Sequence, residues 1–216
     1  PRTVPVELDL CAGESLAVVC DTAADADSLA ATLVGRREPR EGQVSVDGVP
    51  LRPGERLAAM VSRGEPFVPG DVEDNLAALC LHQEVEPATV TALEEGCALG
   101  DVRAVLGDAR LALDGAPLPT LHRLLLLAAR VVPSAYRIVV VVDPMPWVNA
   151  VYGEMWRQAV VRCSVGRTAV WITPDRELAA RADGVMELRS GALRRPATAD
   201  DEVGLRMGGD GMKRRT

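Results

Sequence analysis

The sequence predicts an α/β fold in which helices cover a largely parallel sheet. Two apolar runs, Leu16–Cys20 and Ile138–Val142, fit strands that are buried on both faces. The first run is followed by a polar stretch and then by the helical run Ser28–Leu33. Because the chain has only three tryptophans, two tyrosines and one phenylalanine, its core must consist mostly of Val, Leu and Ala, which suits α/β layers.

Length and charge limit the class of protein. With 216 residues and 48% hydrophobic content, the chain can bury a sizeable core, and we expect one domain with lobes. The net charge of -7 and the lack of a basic run with interleaved aromatic residues argue against nucleic acid as a partner. Pro1 at the start indicates a piece cut from a longer polypeptide.

Cysteine spacing and hydropathy exclude two further classes. The cysteines are odd in number and lie outside any CxxC spacing, so we expect reduced thiols rather than disulfides or zinc ligands; they are Cys11, Cys20, Cys80, Cys97 and Cys163. The longest apolar stretch, residues 124–142, is interrupted by Arg130, Pro133 and Arg137. We therefore predict neither a signal peptide nor a membrane-spanning segment.

The elements of the first part follow in order. Alternating apolar residues over Val4–Leu10 predict a half-buried edge strand, and Ala12–Glu14 a turn. After the strand Leu16–Cys20, we predict a loop over Asp21–Asp27 and a helix from Ser28. Strand, loop and helix in succession form the context of a phosphate-binding loop, although the glycines and the lysine of such a loop are missing here.

The middle of the chain, residues 71–130, is predicted to be mostly helical. Asp71 can cap one helix, and Ala88–Ala98 is typical of a second. Thr120 can cap a third helix over Leu121–Val132, which is apolar almost all round and should therefore be buried.

The last part begins with the strand Ile138–Val142, which ends at Asp143. An acid there lies at the carboxyl edge of the sheet, where open α/β folds bind ligands, although a core strand can also simply end at an acid. The sequence then predicts a helix over Trp147–Cys163, a strand over Ala169–Ile172, and a helix capped by Thr173 with Pro174 at its first position.

Six segments, taken in order, carry a resemblance to a known family. They are Gly13–Val19, Ser28–Leu29, Glu41–Gly48, Pro66–Leu76, Leu127–Arg130 and Ala182–Gly191. Across residues 4–195 they resemble the nucleotide-binding domain of ABC transporters of the exporter type. The resemblance implies a P-loop NTPase-like ABC ATPase core, with a mixed, mostly parallel sheet flanked by helices. That core would comprise residues 1–70 and 131–195 of a single domain, 1–195, with a helical lobe inserted at 71–130 and a flexible tail at 196–216.

The resemblance also places the family's Walker A loop on this chain. It falls on Cys20, Asp21, Thr22, Ala23, Ala24, Asp25, Ala26, Asp27 and Ser28. Here Cys20, Ala23 and Asp25 replace glycines. Ala26 replaces the lysine, and Asp27 replaces the hydroxyl residue that holds magnesium. Arg63 stands at the position of the Q-loop glutamine.

The remaining motifs of the family are changed as well. The signature motif becomes Leu118, Pro119, Thr120, Leu121 and His122, which keeps only the leucine, and Asn149-Ala150 lacks the aspartate of the D-loop. Pro144 replaces the catalytic glutamate and Pro174 the switch histidine, so we expect no catalytic residues. Asp143 matches the Walker B aspartate and is the one residual metal ligand, whereas we interpret His122 as a structural histidine.

These changes weaken phosphate binding for physical reasons. A phosphate loop needs glycines, because its backbone adopts positive φ and brings consecutive N–H groups close to the phosphates. Without the lysine, charge-assisted hydrogen bonds of about 1.5–3 kcal/mol each are lost. Asp25 and Asp27 would repel a triphosphate by about 4 kcal/mol per close pair, against about 8 kcal/mol for a micromolar affinity.

Two functions follow from the resemblance. The first is a non-hydrolytic structural or coupling module at the cytoplasmic face of the membrane. It would need no cofactor, and its partner would be a transmembrane domain or transporter subunit, with a second ABC domain as a further partner. The alternative is the ATP-binding half of an exporter that hydrolyses ATP with Mg²⁺ only together with a partner subunit. An α/β binding protein unrelated to this family is a third interpretation.

One expectation concerns the changed site itself. The resemblance brings Asp25, Asp27 and Asp143 together, and like charges so placed need a compensating group. We expect Arg63 to pair with Asp27 or Asp143 in place of the metal. The alternatives are an Arg63 side chain in solvent and a divalent cation held by the aspartates.

Overall fold

A computed structural model describes residues 9–20, 22–39, 41–55, 57–80, 87–143, 150–189 and 192–194. The strands are β1 (Ser15–Cys20), β2 (Ser45–Val46), β3 (Val49–Pro50), β4 (Ala58–Val61), β5 (Ile138–Val142), β6 (Thr168–Thr173), β7 (Gly184–Arg189) and β8 (Ala192–Arg194). The helices are α1 (Ala23–Leu33), α2 (Val72–Ala77), α3 (Pro87–Gly96), α4 (Leu99–Leu106), α5 (Thr120–Val131), α6 (Ala150–Ser164) and α7 (Arg176–Ala179).

Six strands form the main sheet in the order β4-β5-β6-β1-β7-β8. All neighbours are parallel except β7 and β8, while β2 and β3 form a separate antiparallel pair. The mixed, mostly parallel sheet predicted from the sequence is therefore confirmed. The edge strand predicted over 4–10 lies mostly outside the described residues.

The strand order sets the geometry of the candidate site. Only β6 separates β1 from β5, and the three strands run in the same direction. Cys20 and Asp143 therefore lie at the same carboxyl edge of the sheet, one strand apart. Asp143 thus follows a central parallel strand, as predicted.

Helices cover both faces of this sheet. On one face Ala26 and Ala30 of α1 pack in a buried cluster with Val142 and Ile172. On the other face the larger cluster is formed by α2, α4, α5 and α6 with alternate residues of β4, β5 and β6. Among the described residues, no helix is long and apolar enough to cross a membrane.

In the part of the chain that the structure describes, helices α2 to α5 lie between β4 and β5 in the sequence, where the helical lobe is predicted. The predicted cap at Asp71 is also confirmed, because Asp71 and Asp74 form a reciprocal capping box. Helix α5 is buried along most of its length, as predicted. The exact domain boundaries stay predictions, and the tail at 196–216 lies outside the described residues.

The start of α5 differs from the prediction. Thr120 is its first helical residue, and the N-cap is Pro119, whose extended backbone carries no side-chain cap. Proline fits there because it needs no hydrogen-bond acceptor for its own nitrogen. The helix does not depend on a cap, since it is stabilised by burial of its leucines.

Hydrogen bonds join the segment after β4 to the segment before α5. Phe67 N donates to the Leu113 carbonyl at 2.9 Å, and Leu111 N donates to the Gly70 carbonyl at 2.7 Å. From α5, Arg130 donates to the Pro66 carbonyl at 2.8 Å. Backbone and side-chain bonds thus join residues 66–70 to 111–113 and to α5.

Asn75 holds the same segment from α2 and gives a first prediction. This fully buried amide accepts from Val68 N at 2.9 Å and donates to the carbonyls of Val68 and Asp71 at 2.8 and 2.9 Å. We expect Asn75→Ala to lower the free energy of unfolding by about 2–3 kcal/mol, because alanine cannot form the three hydrogen bonds that the buried amide makes to the backbone. Urea denaturation measures this loss.

Asn75→Asp is the matched variant for that experiment. A carboxylate can still accept from Val68 N, but it cannot donate to the two carbonyls. We therefore expect Asn75→Asp to destabilise the protein too. A stability equal to that of the unchanged protein would contradict the assigned role of the amide.

Candidate functional site

The segment between β1 and α1 is shorter than predicted. Helix α1 begins at Ala23, with Thr22 as its N-cap, so the predicted loop over 21–27 and the helix start at Ser28 are wrong. Ala23 to Ser28 are helical, and Asp21 lies outside the described residues. Thr22 accepts from Asp25 N through its hydroxyl at 3.3 Å and from Ala26 N through its carbonyl at 3.1 Å.

A local signal for this early start exists in the sequence. Thr22 is followed three residues later by Asp25, and the Thr22 hydroxyl donates to the Asp25 carboxylate at 2.7 Å. The alanines around them are the best helix formers. A hydroxyl cap, an acid three residues on and an alanine-rich run predict a helix start.

The early start changes what the segment offers to an anion. The N–H groups of Asp25 and Ala26 are already bonded to Thr22. No described residue between 22 and 34 has the positive φ that a phosphate nest requires. Ala26 is buried against the sheet, while Asp27 is exposed and Asp25 partly so. The carboxylates of Asp25 and Asp27 therefore place negative charge near the start of α1, where they interact favourably with the positive end of the helix dipole.

Asp143 is the central residue of the candidate site at the carboxyl edge of the sheet. It follows β5, is 6% exposed, and its backbone N–H donates to the Ile172 carbonyl at 2.9 Å. One carboxylate oxygen, Oδ1, accepts from the indole Nε1 of Trp156 at 2.9 Å. The other, Oδ2, accepts a short hydrogen bond from the Thr173 hydroxyl. Both oxygens are thus bonded to side chains of neighbouring elements.

Thr173 does not cap a helix, which corrects the prediction. It is the last residue of β6, and the N-cap of α7 is Asp175, whose side chain accepts from Glu177 N at 2.9 Å. The Thr173 hydroxyl is used twice, since it donates to Asp143 and accepts from Asp175 N at 2.9 Å. Pro174 lies between them, one residue before the cap rather than at the first helical position.

Asp175 connects this edge to α6. Its Oδ2 accepts from Nε of Arg157 at 2.6 Å, and Arg157 also contacts Glu177 at 2.9 Å. Burial by itself would raise the pKa of Asp175. The hydrogen bonds from Arg157 and from the backbone of α7 outweigh this effect, so the pKa of that carboxyl lies below its usual value.

This pKa shift gives a second prediction. A carboxyl group with a lowered folded-state pKa stabilises the protein above its unfolded pKa, about 3.9, and that contribution is lost as the pH falls through the folded value. We expect stability to be level from about pH 5 to 8 and to fall below about pH 4. Asp175→Asn should flatten the fall in acid denaturation followed by circular dichroism, and an unchanged acid profile would contradict this role.

The position of Arg63 also differs from the expectation. Arg63 follows β4 by two residues and is exposed. Among the described side chains, the ion pairs within 4 Å do not join Arg63 to Asp27 or to Asp143. The predicted ion pair of Arg63 with Asp27 or Asp143 is thus not found within 4 Å among these side chains, and the Asp143 carboxylate accepts hydrogen bonds from Trp156 and Thr173.

The segment 118–122 opens helix α5. Leu118 and Leu121 are buried, Pro119 is exposed, and Thr120 and His122 are half-buried. Arg123 donates to the Leu118 carbonyl at 2.7 Å and to the Asp114 carbonyl at 3.0 Å, which fixes the approach to the helix. Nδ1 of His122 is buried and finds no hydrogen-bond partner among the described residues. The leucines of this segment thus serve the core.

A divalent cation would need several acidic, histidine or cysteine side chains close together. Within the described part of the chain, no three His, Cys, Asp or Glu side chains are placed so that they could hold a metal ion. The alternative in which Asp25, Asp27 and Asp143 hold a divalent cation is therefore not supported among the described residues. Pro144 and Asn149 lie outside the described residues.

Three residues of this edge were not recognised as site residues from the sequence. Trp156 was interpreted as part of the apolar stripe of its helix, and it is indeed buried, but its indole N–H bonds Asp143. Arg157 and Asp175 were not singled out. No spacing signal joins them, because they meet through contacts between residues far apart in the chain.

Comparison with known proteins identifies the fold. No family model matches the chain, and a search of curated proteins gave no match. Among solved structures, the chain is similar to a bacterial Atm1-family ABC exporter with ATP bound, with a TM-score of 0.71 and 19% sequence identity. The match covers 91% of this chain and 35% of that exporter chain. The protein therefore has a P-loop NTPase-like α/β fold, and it spans about a third of the exporter chain it resembles.

Proposed function

We propose that the protein is a degenerate ATP-binding-cassette domain that does not hydrolyse ATP and acts as a structural or coupling module of a membrane transporter. One observation carries the proposal. The Asp143 carboxylate is bonded to Trp156 and Thr173, so the metal-ligand position of this fold is used for internal structure. The fold itself, shared with an ABC exporter, supports the transporter context.

The start of α1 supports the same proposal. Binding of a triphosphate would require free N–H groups and positive charge at the carboxyl edge of the sheet. In the described residues, the N–H groups of Asp25 and Ala26 are bonded to Thr22, and the nearby side chains of Asp25 and Asp27 are acidic. Releasing these bonds and bringing phosphate near carboxylates both cost free energy.

We infer the partner from the fold. A solved structure that shares this fold is an ABC exporter, and the match covers 35% of that exporter chain. A module of this fold would act on transport through a transmembrane domain or transporter subunit, at the cytoplasmic face of the membrane. A second ABC domain is a further partner of the same proposal.

Nucleotide binding tests the proposal and gives a third prediction. We expect no change in melting temperature when Mg-ATP or ATP with chelator is added at millimolar concentration. A ligand at about 100 times its Kd stabilises a protein by about 2.7 kcal/mol, which is readily visible as a shift of several degrees. An Mg-ATP-dependent shift that Asp143→Asn abolishes would overturn the proposal.

Hydrolysis with a partner tests the alternative in which this chain supplies half of an ATPase site. Phosphate release should be absent for the isolated chain and unchanged when the chain is added to a candidate transporter subunit. ATP hydrolysis that needs both proteins would favour the half-site alternative instead.

A further inference from the structure

A closed circuit of hydrogen bonds runs around the carboxyl edge of the sheet. It starts at Trp156 on α6, whose indole donates to Asp143 after β5. Thr173 at the end of β6 donates to the same carboxylate and accepts from the backbone N–H of Asp175. The Asp175 side chain then accepts from Arg157, the neighbour of Trp156 on α6. The circuit therefore returns to the helix where it began.

The side chains of this ring are almost completely withdrawn from water. Trp156 and Thr173 are fully buried, and Asp143 is nearly so. The side chains of Arg157 and Asp175 keep only 16% and 9% of their surface exposed. Hydrogen bonds in such surroundings are strengthened, and bonded neighbours polarise each other, so the loss of one bond weakens the next.

The ring uses the only hydroxyl proton of Thr173. Its one hydroxyl proton goes to Asp143, and its oxygen accepts from Asp175 N. Any displacement of residues 173–175 must therefore break a bond to Asp143, to Arg157 or to both. Breaking such a bond would remove a contact between elements, because the ring joins β5, β6 and α6.

We propose that Trp156, Asp143, Thr173, Asp175 and Arg157 form a latch, which fixes the connection from β6 to α7 in one position through contacts within the chain. The latch does not rest on the proposed transporter role, because it follows from contacts within the chain. Its outer edge reaches the surface at Arg157, which also contacts Glu154 and Glu177.

Hydrogen exchange of the tryptophan indoles tests the latch and gives a fourth prediction. Thr173→Val removes the hydroxyl but keeps the shape of the side chain. We expect the Trp156 indole N–H to exchange at least about tenfold faster in this variant, although the indole bonds the other carboxylate oxygen of Asp143. The Trp171 indole, which donates to Ser164 at 2.9 Å outside the ring, should keep its rate in the same NMR spectrum.

Matched variants complete the experiment. Thr173→Ser keeps the hydroxyl and should restore the rate of the Trp156 indole, and Thr168→Val, at the other end of β6, should leave it unchanged. Arg157→Met opens the ring at its outer edge and should again accelerate the Trp156 indole. Trp156→Phe should accelerate the amides of Ala179 and Ala180, which bond within α7.

Two results would overturn the latch. The first is a Trp156 indole whose exchange is the same in Thr173→Val and Arg157→Met as in the unchanged protein. The second is equal acceleration of the Trp156 and Trp171 indoles, which would mean a general loss of stability. Neither result depends on ATP, so failure of the latch and failure of the proposed function can be distinguished.

Discussion

Replacing Asp143 by alanine should lower the free energy of unfolding by about 2–6 kcal/mol. The carboxylate accepts from the Trp156 indole and from the Thr173 hydroxyl in a nearly dry environment. Alanine would leave both donors buried without an acceptor, and each such loss costs about 1–3 kcal/mol. Urea denaturation at neutral pH measures the change directly.

Asp27→Ala is the control for this experiment. Asp27 is another acid among the candidate nucleotide-binding residues, but its side chain is exposed on α1. We therefore expect Asp27→Ala to change the free energy of unfolding by no more than about 0.5 kcal/mol. Asp143→Asn should lie between the two variants, because an amide oxygen can still accept one of the two bonds. If Asp143→Ala were as stable as Asp27→Ala, the structural role of the carboxylate would be disproved.

Replacing Arg167 by methionine should cost about 3–5 kcal/mol. The Arg167 guanidinium donates to the carbonyls of Val131, Val132 and Ser134 at 3.0, 2.8 and 3.1 Å, and to that of Tyr136 at 2.9 Å. It therefore satisfies the carbonyls at the end of α5, where a cation also complements the helix dipole. Methionine keeps the apolar stem of the side chain and removes every donor.

Two further variants serve as controls for Arg167→Met. Arg176→Met, at a side chain that is 75% exposed, should change stability by no more than about 0.5 kcal/mol. Arg167→Lys should recover only part of the loss, because an ammonium group cannot reach four carbonyls with the geometry of a guanidinium fork. Equal stability of the Arg167→Met and Arg176→Met variants in urea would refute the capping role.

Much of the fold could be predicted because its strongest signals are local. The runs Leu16–Cys20 and Ile138–Val142 are apolar over their whole length and form central parallel strands. Helix α5 is apolar almost all round and is buried accordingly. Asp71 has an acid three residues later, and the two form a capping box.

The predictions for the start of α1 and for the cap of α7 were wrong, because in each place two local signals favoured different structures. In the segment 21–27, position after a buried strand favoured a loop, while Thr22 and the alanines favoured a helix, and the helix formed. At the end of β6, Thr173 and Asp175 are both good caps. Thr173 bonds Asp143 instead, so Asp175 caps the helix.

The candidate site could be predicted only in part. The sequence located Asp143 at the carboxyl edge, because the end of a buried strand fixes that position. The partners of Asp143 come from α6 and β6, and their choice depends on how these elements pack, which no spacing in the sequence specifies. A family motif therefore indicated where the carboxylate lies but not what it binds.

The early start of α1 has a consequence for the engineering of this chain. Ala26 is buried in the cluster formed with β5 and β6, so Ala26→Lys would place an ammonium group in an apolar core. A phosphate-binding loop at this position would need the first turn of the helix to unwind before a lysine or a glycine could help. A single substitution in this segment is therefore expected to cost stability without creating a phosphate site.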